Sequence, residues 1–333
     1  MSKIIDENYS KIVEKLSSLK HVLITSHINP DGDNIASVVA LGAGLELLGK
    51  SVTLALVSPV PHIYKFISGS ERIVEFKKLD EERPCFDCAM VLDVGSLKRV
   101  GETVDLRKYT GLVLNIDHHV KTENCGDISF VDSSYSSTAE IIYNLLTDIG
   151  VKITPEIAEA LYVGVMTDTG GFQFQNTTAS AMKAVSELIA LGASPEKISQ
   201  KVYFSNRAAK IVLMGKVLST LKFDPSGKIG WITATKEVID ECGANSDDLE
   251  NVINNLTSIE TIEVAILFRD LHDGKIKLSL RARNSVDVQK FALKYQGGGH
   301  KKASGMVLDA TLEDAVNRVI FEFRDYIRDY VKN

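Results

Sequence analysis

His27, Asp31 and Asp33 fall within seven residues, in the stretch HINPDGDNIAS that follows the apolar run HVLITS. Pro30 and Gly32 already supply the bend that a turn needs. Two carboxylates and an imidazole crowded together oppose one another unless a positive centre lies between them. The same residue types recur down the chain. Asp93 follows CAMVL; Asp117, His118 and His119 close GLVLNIDHH; Asp168 stands in YVGVMTDTGG, before a glycine pair that lets backbone approach closely.

A lone Asp after a strand is ordinarily a turn former or a cap, and a lone His at a core edge is ordinarily structural. Four segment ends that carry only carboxylate and imidazole point instead to metal ligation. Asp31, Asp33, Asp93 and Asp168 bring four negative charges, while His27 and His118 are neutral as ligands, so two divalent cations balance the set. Carboxylate and imidazole donors without thiolate favour Mn²⁺, with Mg²⁺, Co²⁺ and Fe²⁺ as competitors, and do not make a closed structural zinc site. Two such cations about 3.5–4 Å apart can share a water, lower its pKa and supply hydroxide as a nucleophile. No GxSxG elbow offers a serine nucleophile in its place.

The segments between these residues alternate in type up to about residue 190. HVLITS, SVTLALV, CAMVLDV and GLVLNID read as strands; NIASVVALGAGLELLG, SSTAEIIYNLLTDIG and TPEIAEALYVGVMTD read as helices, the last capped by Thr154 with Pro155 in its first turn. That alternation predicts an α/β unit, a mainly parallel sheet with helices on both faces, whose ligands gather beyond the carboxyl ends of the strands. The GAG within the first helix makes no dinucleotide fingerprint, because no strand directly precedes it and Leu47 stands where a third glycine belongs. Residues 194–218 read as a helical connector. Beyond it, KIGWITATKE, TIEVAILFRD and KIKLSLRAR read as strands and DVQKFALKYQ and TLEDAVNRVIFEFRDYIRDYV as helices, a smaller α+β unit over 219–333.

The chain has 333 residues, 44% hydrophobic and 25% charged, with a net charge of −6. That balance argues against coating long nucleic acid. The amino end lacks the apolar core of a secretory signal and no run is long enough to span a bilayer, so a cytoplasmic location and no membrane partner are expected. Of four cysteines, Cys85 and Cys88 form a CxxC with no second pair to complete a zinc site, and Cys88 is expected in the core. Charge is uneven: residues 275–302 hold eight Lys or Arg and one Asp. A small anion could be caught there.

HINPDGD, the Asp of VLDVGS, the Asp-His-His at 117–119 and the Asp of GVMTDTGGF resemble, in order and spacing, the motifs of the DHH phosphoesterases. QGGGHKKASG resembles the glycine-rich signature of the DHH-associated domain. The resemblance implies a catalytic domain over 1–193 in which His27, Asp31 and Asp93 hold one metal and Asp33, Asp93, His118 and Asp168 the other, Asp93 bridging. Adjacent side chains in an extended stretch point opposite ways, so His119 is expected to contact substrate or give a proton to the leaving oxygen, with Asp117 structural rather than a ligand. Arg99 is expected to reach a phosphate. Arg281, Arg283, Gly297, Gly298, Gly299 and His300 are expected to grip one from the second domain, the glycines through free backbone N–H groups and Arg281 and Arg283 through their planar forks.

Within the family the chain looks most like the short stand-alone members. It is expected to hydrolyse very short oligoribonucleotides, 5′-pApA above all, to mononucleotides, and to open cyclic di-AMP, as a homodimer. The rivals are a phosphatase acting on 3′-phosphoadenosine 5′-phosphate and a manganese pyrophosphatase or polyphosphatase. A sensor with a dead metal site should have lost a ligand, and none is missing.

Overall fold

The computed structural model describes residues 6–82, 84–119, 125–249, 251–328 and 330. The chain divides into two compact units, Met1–Ser205 and Asn206–Asn333.

In the first unit six strands, β1 (His21–Thr25), β2 (Ser51–Leu56), β3 (Val74–Glu75), β4 (Cys88–Leu92), β5 (Val113–Asp117) and β6 (Ile128–Val131), form one sheet in the order β3-β2-β1-β4-β5-β6. Every pairing is parallel. Strands β4 and β5 are buried along their whole length. This is why they read as unbroken apolar runs: helices cover both faces of a parallel sheet. From β1 the chain builds outward to β2 and β3, then returns to place β4 on the other side of β1. The reversal leaves a crevice beyond the carboxyl ends of β1 and β4, where an open sheet of this kind binds ligands.

The helices of this unit are α1 (Glu7–Ser18), α2 (Gly32–Leu47), α3 (Phe76–Glu82), α4 (Thr138–Asp148), α5 (Pro155–Asp168), α6 (Ala179–Ala190) and α7 (Pro195–Val202). α2 is buried along nearly all its length because α4 and α5 flank it. Two glycines permit that approach. A Cβ at Gly32 would lie 2.3 Å from Thr167 Oγ1, and one at Gly164 would lie 2.4 Å from the Cβ of Ala139 and 2.9 Å from Asp33 Oδ1. Thr154 caps α5 by accepting from the N–H of Ile157, and Ser137 caps α4. Cys88 sits in the core, where burial pushes its thiol up to about 12, while Cys85 is exposed.

The second unit contains α8 (Ala208–Leu218), β7 (Lys222–Phe223), β8 (Ile229–Ala234), α9 (Lys236–Glu241), α10 (Asn254–Thr257), β9 (Val264–Asp270), β10 (Lys275–Ala282), α11 (Val288–Leu293), β11 (Gly298–His300), β12 (Ala303–Asp309) and α12 (Leu312–Arg328). Its sheet runs β11-β12-β10-β9-β8-β7 and is antiparallel except for the β8–β9 pair. One face packs on α11 and α12 through Phe268, Phe291 and Phe323; part of the other packs on α8 through Leu213, Val217 and Ile232. The segment 194–218 is two helices with separate allegiances. Ile198 and Val202 of α7 join the first core, and Leu213 and Val217 of α8 the second. Among the described residues no helix is long and apolar enough to cross a membrane.

Candidate metal centre

The crevice gathers the acidic residues from five segments. His27 lies just past β1, Asp31 caps the N-terminus of α2 and Asp33 sits in its first turn, Asp93 follows β4, His118 follows β5, and Asp168 ends α5. Asp93 adopts a left-handed φ of +61°, rare for a residue other than glycine and best tolerated by Asp and Asn. Its N–H donates to Ile116 O at 2.9 Å, which pins it to the end of β5.

Potential donor atoms converge in three overlapping groups: His27, Asp31 and Asp93; Asp33, His118 and Asp168; and Asp93, His118 and His119. His27 Nε2 is 3.4 Å from Asp93 Oδ2, and His118 Nε2 is 3.7 Å from Asp93 Oδ1 and 3.5 Å from Asp168 Oδ2. Asp33 and Asp93 are almost wholly buried, and His27 nearly so.

The residues fit a divalent cation on their own geometry. His118 Nε2 is buried and has no hydrogen-bond partner, yet it faces two carboxylates at separations too long for good hydrogen bonds. Charge tells the same story. Burial raises Asp33 well above the usual carboxylate range, and the neighbouring Asp93, Asp168 and Asp31 raise it further. Burial and the charge of Asp93 lift Asp168 to about 7 and also raise Asp31. Burial pushes against ionisation of Asp93 too, but the three histidines outweigh it and hold that carboxyl down at about 2. His27 is opposed by burial and raised overall by Asp93, whereas burial lowers His118. Carboxylates that suppress one another's ionisation around an unpartnered imidazole nitrogen leave room for a cation.

Helix α4 holds part of this set in place. The N–H groups of Thr138 and Ala139 donate to the two oxygens of Asp33 at 2.7 and 2.8 Å, and the Thr138 hydroxyl donates to Asp93 Oδ1 at 3.0 Å. Asn176 Nδ2 donates to Asp168 Oδ2 at 3.2 Å and to Ser136 O at 2.8 Å. Asp31 Oδ1 accepts from the N–H of Asn34 at 3.0 Å, so the ordinary capping role and a ligand role coexist on one carboxylate. Sequence reading did not single out Thr138 or Asn176. The run SST before a helix signals a cap, and nothing in it says that the first N–H groups face a buried carboxylate.

His119 Nδ1 is 2.7 Å from Asp117 Oδ1, and this hydrogen bond outweighs burial to raise the imidazole to about 8. The same nitrogen is 3.6 Å from Asp93 Oδ1, so the geometry also offers His119 as a donor in the third group. Arg99 lies close enough for its charge to act on His119, and its carbonyl accepts from the N–H of Ile28 at 2.8 Å.

In the second unit the expected phosphate grip is differently built. Gly298–His300 is an edge strand paired with β12, not an open loop. A Cβ at Gly297 would meet Gly305 O at 2.4 Å and one at Gly299 would meet Ala303 O at 2.5 Å, so those glycines serve strand packing, while Gly298 faces open space. Arg283 Nη1 donates to the carbonyls of Ile259 and Glu260, and Arg281 Nε to Asn254 Oδ1. Of the expected contacts, His300 is exposed and makes none of the side-chain bonds described for its neighbours.

Residues 21–165 match the DHH family, N-terminal domain, and residues 233–329 the DHHA1 domain. Over 91% of its length the chain is 32% identical to the bifunctional oligoribonuclease and PAP phosphatase NrnA of Thermus thermophilus, covering 89% of that protein. It is 25% identical to the like-named protein of Bacillus subtilis over 96% of this chain and 99% of that one. The crystal structure of an exopolyphosphatase-related protein from Bacteroides fragilis matches with a TM-score of 0.90 at 29% identity, over 99% of this chain and 98% of that one. Exonuclease RecJ bound to manganese shares the fold, with a TM-score of 0.55 at 15% identity over 98% of this chain and 94% of that one. The chain is thus a hydrolase of phosphoester bonds and belongs to the DHH family, with a DHHA1 domain following its DHH domain.

Proposed function

We propose that this protein hydrolyses very short oligoribonucleotides, 5′-pApA foremost, to 5′-mononucleotides, and opens cyclic di-AMP at the same centre. The observation that carries this reading is the convergence of four carboxylates and three imidazoles on the crevice beyond β1 and β4, in a chain similar throughout to proteins named as oligoribonucleases. His27, Asp31 and Asp93 would hold one divalent cation, and Asp33, Asp93, His118 and Asp168 a second. The donor set favours manganese. When bound, such a pair lowers the pKa of water and offsets the charge that develops on the phosphoryl oxygens.

The chain's own residues supply the rest. Asp117 fixes the His119 ring through Nδ1, which leaves Nε2 as the nitrogen that can give its proton to the leaving ribose oxygen. In the cation-free protein the same hydrogen bond raises that imidazole to about 8. Thr138 and the first N–H groups of α4 orient Asp33 and Asp93. Arg99, beside His119, is proposed to take a phosphate oxygen, and Arg281, Gly298 and His300 to contact the substrate from the second unit. The assembly proposed is a homodimer.

Removal of the 3′-phosphate from 3′-phosphoadenosine 5′-phosphate is the second reading, supported by the bifunctional names of the relatives in Thermus and Bacillus. Product analysis in manganese buffer, with pApA, cyclic di-AMP, 3′-phosphoadenosine 5′-phosphate and pyrophosphate in parallel, tests both. Release of AMP from pApA faster than from a 24-mer RNA is the expected result; preferential turnover of pyrophosphate or of the long strand would overturn it.

A further inference from the structure

The segment after Asp168 is costly to build and ends on an aromatic ring that no core requires. Gly170, Gly171 and Phe172 all adopt left-handed backbone, with φ of 59°, 68° and 68°. Such a conformation is disfavoured for a bulky residue like Phe172 and persists only where its surroundings impose it. Thr169 does so. Its carbonyl accepts from the N–H groups of Gln173 and Phe174, both at 3.0 Å, and its hydroxyl oxygen accepts from the N–H of Phe172 at 3.2 Å. Asn176 then closes the loop by donating to the carbonyl and the carboxylate of Asp168.

Phe172 is accounted for, since its ring packs edge-on against Tyr162 in the first core. Phe174 is not. It is 60% exposed. Its ring rests on Gly170, where an added Cβ would come within 2.4–2.6 Å of three ring carbons. Gly170 therefore answers two demands, the left-handed turn and the seating of this ring. The hydroxyl of Tyr203 lies against Gly171, and Tyr203 and Phe204 are also exposed. The glycine pair beside a candidate metal ligand thus carries aromatic side chains on a loop tied at both ends to Asp168.

A metal centre of carboxylates and imidazoles reads phosphate and is blind to what the phosphate bears. An exposed aromatic face held in fixed relation to it can bind a nucleobase by stacking, and does so whatever the base. We propose that Phe174 is the stacking platform for the base of the nucleotide whose phosphate enters the centre, and the residue that favours nucleotides over inorganic polyphosphate. The inference rests on the short-oligonucleotide reading above and adds the group that recognises the nucleoside.

The test uses the full chain and the variants Phe174→Ala, Phe174→Leu and Phe174→Tyr. Stacking is read first in chelator, without turnover, as quenching of a 2-aminopurine dinucleotide. Wild type and Phe174→Tyr should quench; Phe174→Ala and Phe174→Leu should not. In manganese buffer Phe174→Ala should raise KM for pApA about 5- to 100-fold, with kcat less affected and Phe174→Tyr restoring it. That loss should exceed the loss on an abasic dinucleotide at least fivefold. Equal losses on both substrates, or a Phe174→Ala that binds and cleaves pApA like wild type, would overturn the stack while leaving the proposed activity standing. A wild type that neither quenches nor cleaves would remove both.

Discussion

His27 and Asp93 are separated by 66 positions in the chain, yet His27 Nε2 lies 3.4 Å from Asp93 Oδ2. The contact exists because β1 and β4 are parallel neighbours in register, Thr25 opposite Val91, so the residues just past each strand end arrive together. Asp93 also belongs with His118 and His119, so two of the three donor groups share it.

Asp93→Asn is accordingly the most informative single change. Asn tolerates the left-handed φ that Ala would strain, so the fold should persist. Manganese affinity by titration calorimetry and pApA turnover should both fall by more than about 100-fold. Circular dichroism matching wild type, together with full turnover, would remove Asp93 from its shared role.

Thr138→Ala deletes the hydroxyl on Asp93 and keeps the N–H groups that hold Asp33. Turnover should drop about 10- to 100-fold, for a stability cost of about 1 kcal/mol. Thr138→Ser should recover most of the rate. A thermal melt and steady-state kinetics on the three proteins decide it.

His119 can be a proton donor or a ligand, and one variant separates the two. His119→Gln should lower kcat about 10²–10⁴-fold, the usual worth of a positioned acid, with manganese affinity nearly intact. An equal collapse of affinity would place His119 among the ligands.

Stability of the cation-free protein should fall as pH rises from about 5 to 8. Asp168 is lifted to about 7, and Asp31 and Asp33 are raised. A carboxyl whose folded value exceeds its unfolded one stabilises the fold while protonated and loses that contribution as pH climbs through the folded value. Asp93, held at about 2, acts in the opposite sense, but only in strong acid. Cations replace protons in this centre, so the rise in Tm on adding manganese should grow with pH, reaching about 5–10 °C near pH 8 at saturating concentrations. A rise that is flat or shrinks with pH would contradict the assignment of these groups to the cation.

Much of the first unit was legible in the sequence because its chemistry sits at strand ends, where apolar runs stop abruptly at His27, Asp93 and His118. The first helix is expected to stop at Gly49 and is observed to end at Leu47, and the one through TPEIAEALYVGVMTD ends at Asp168 as expected. Short or glycine-rich strands were not legible. β12 (ASGMVLD) follows a segment whose glycines read as a loop, but Gly297 and Gly299 are glycines because β12 backbone lies against them. Arg283 illustrates a second limit. Its charge suggested a phosphate, whereas the folded chain directs it to the carbonyls of residues 259 and 260. Contacts from Thr138 and Asn176 depend on where helix starts land in three dimensions, which residue type alone does not encode.

The hold on Asp33 comes from peptide N–H groups of residues 138 and 139 and not from their side chains. Neither bond uses a side chain, so Thr138→Ala or Thr138→Ser leaves both in place even though the hydroxyl contact with Asp93 changes. Proline is the exception: at position 138 it would suit the opening of a helix and yet silently erase one donor. The backbone at these two positions is thus as much a part of the centre as the side chains that face it.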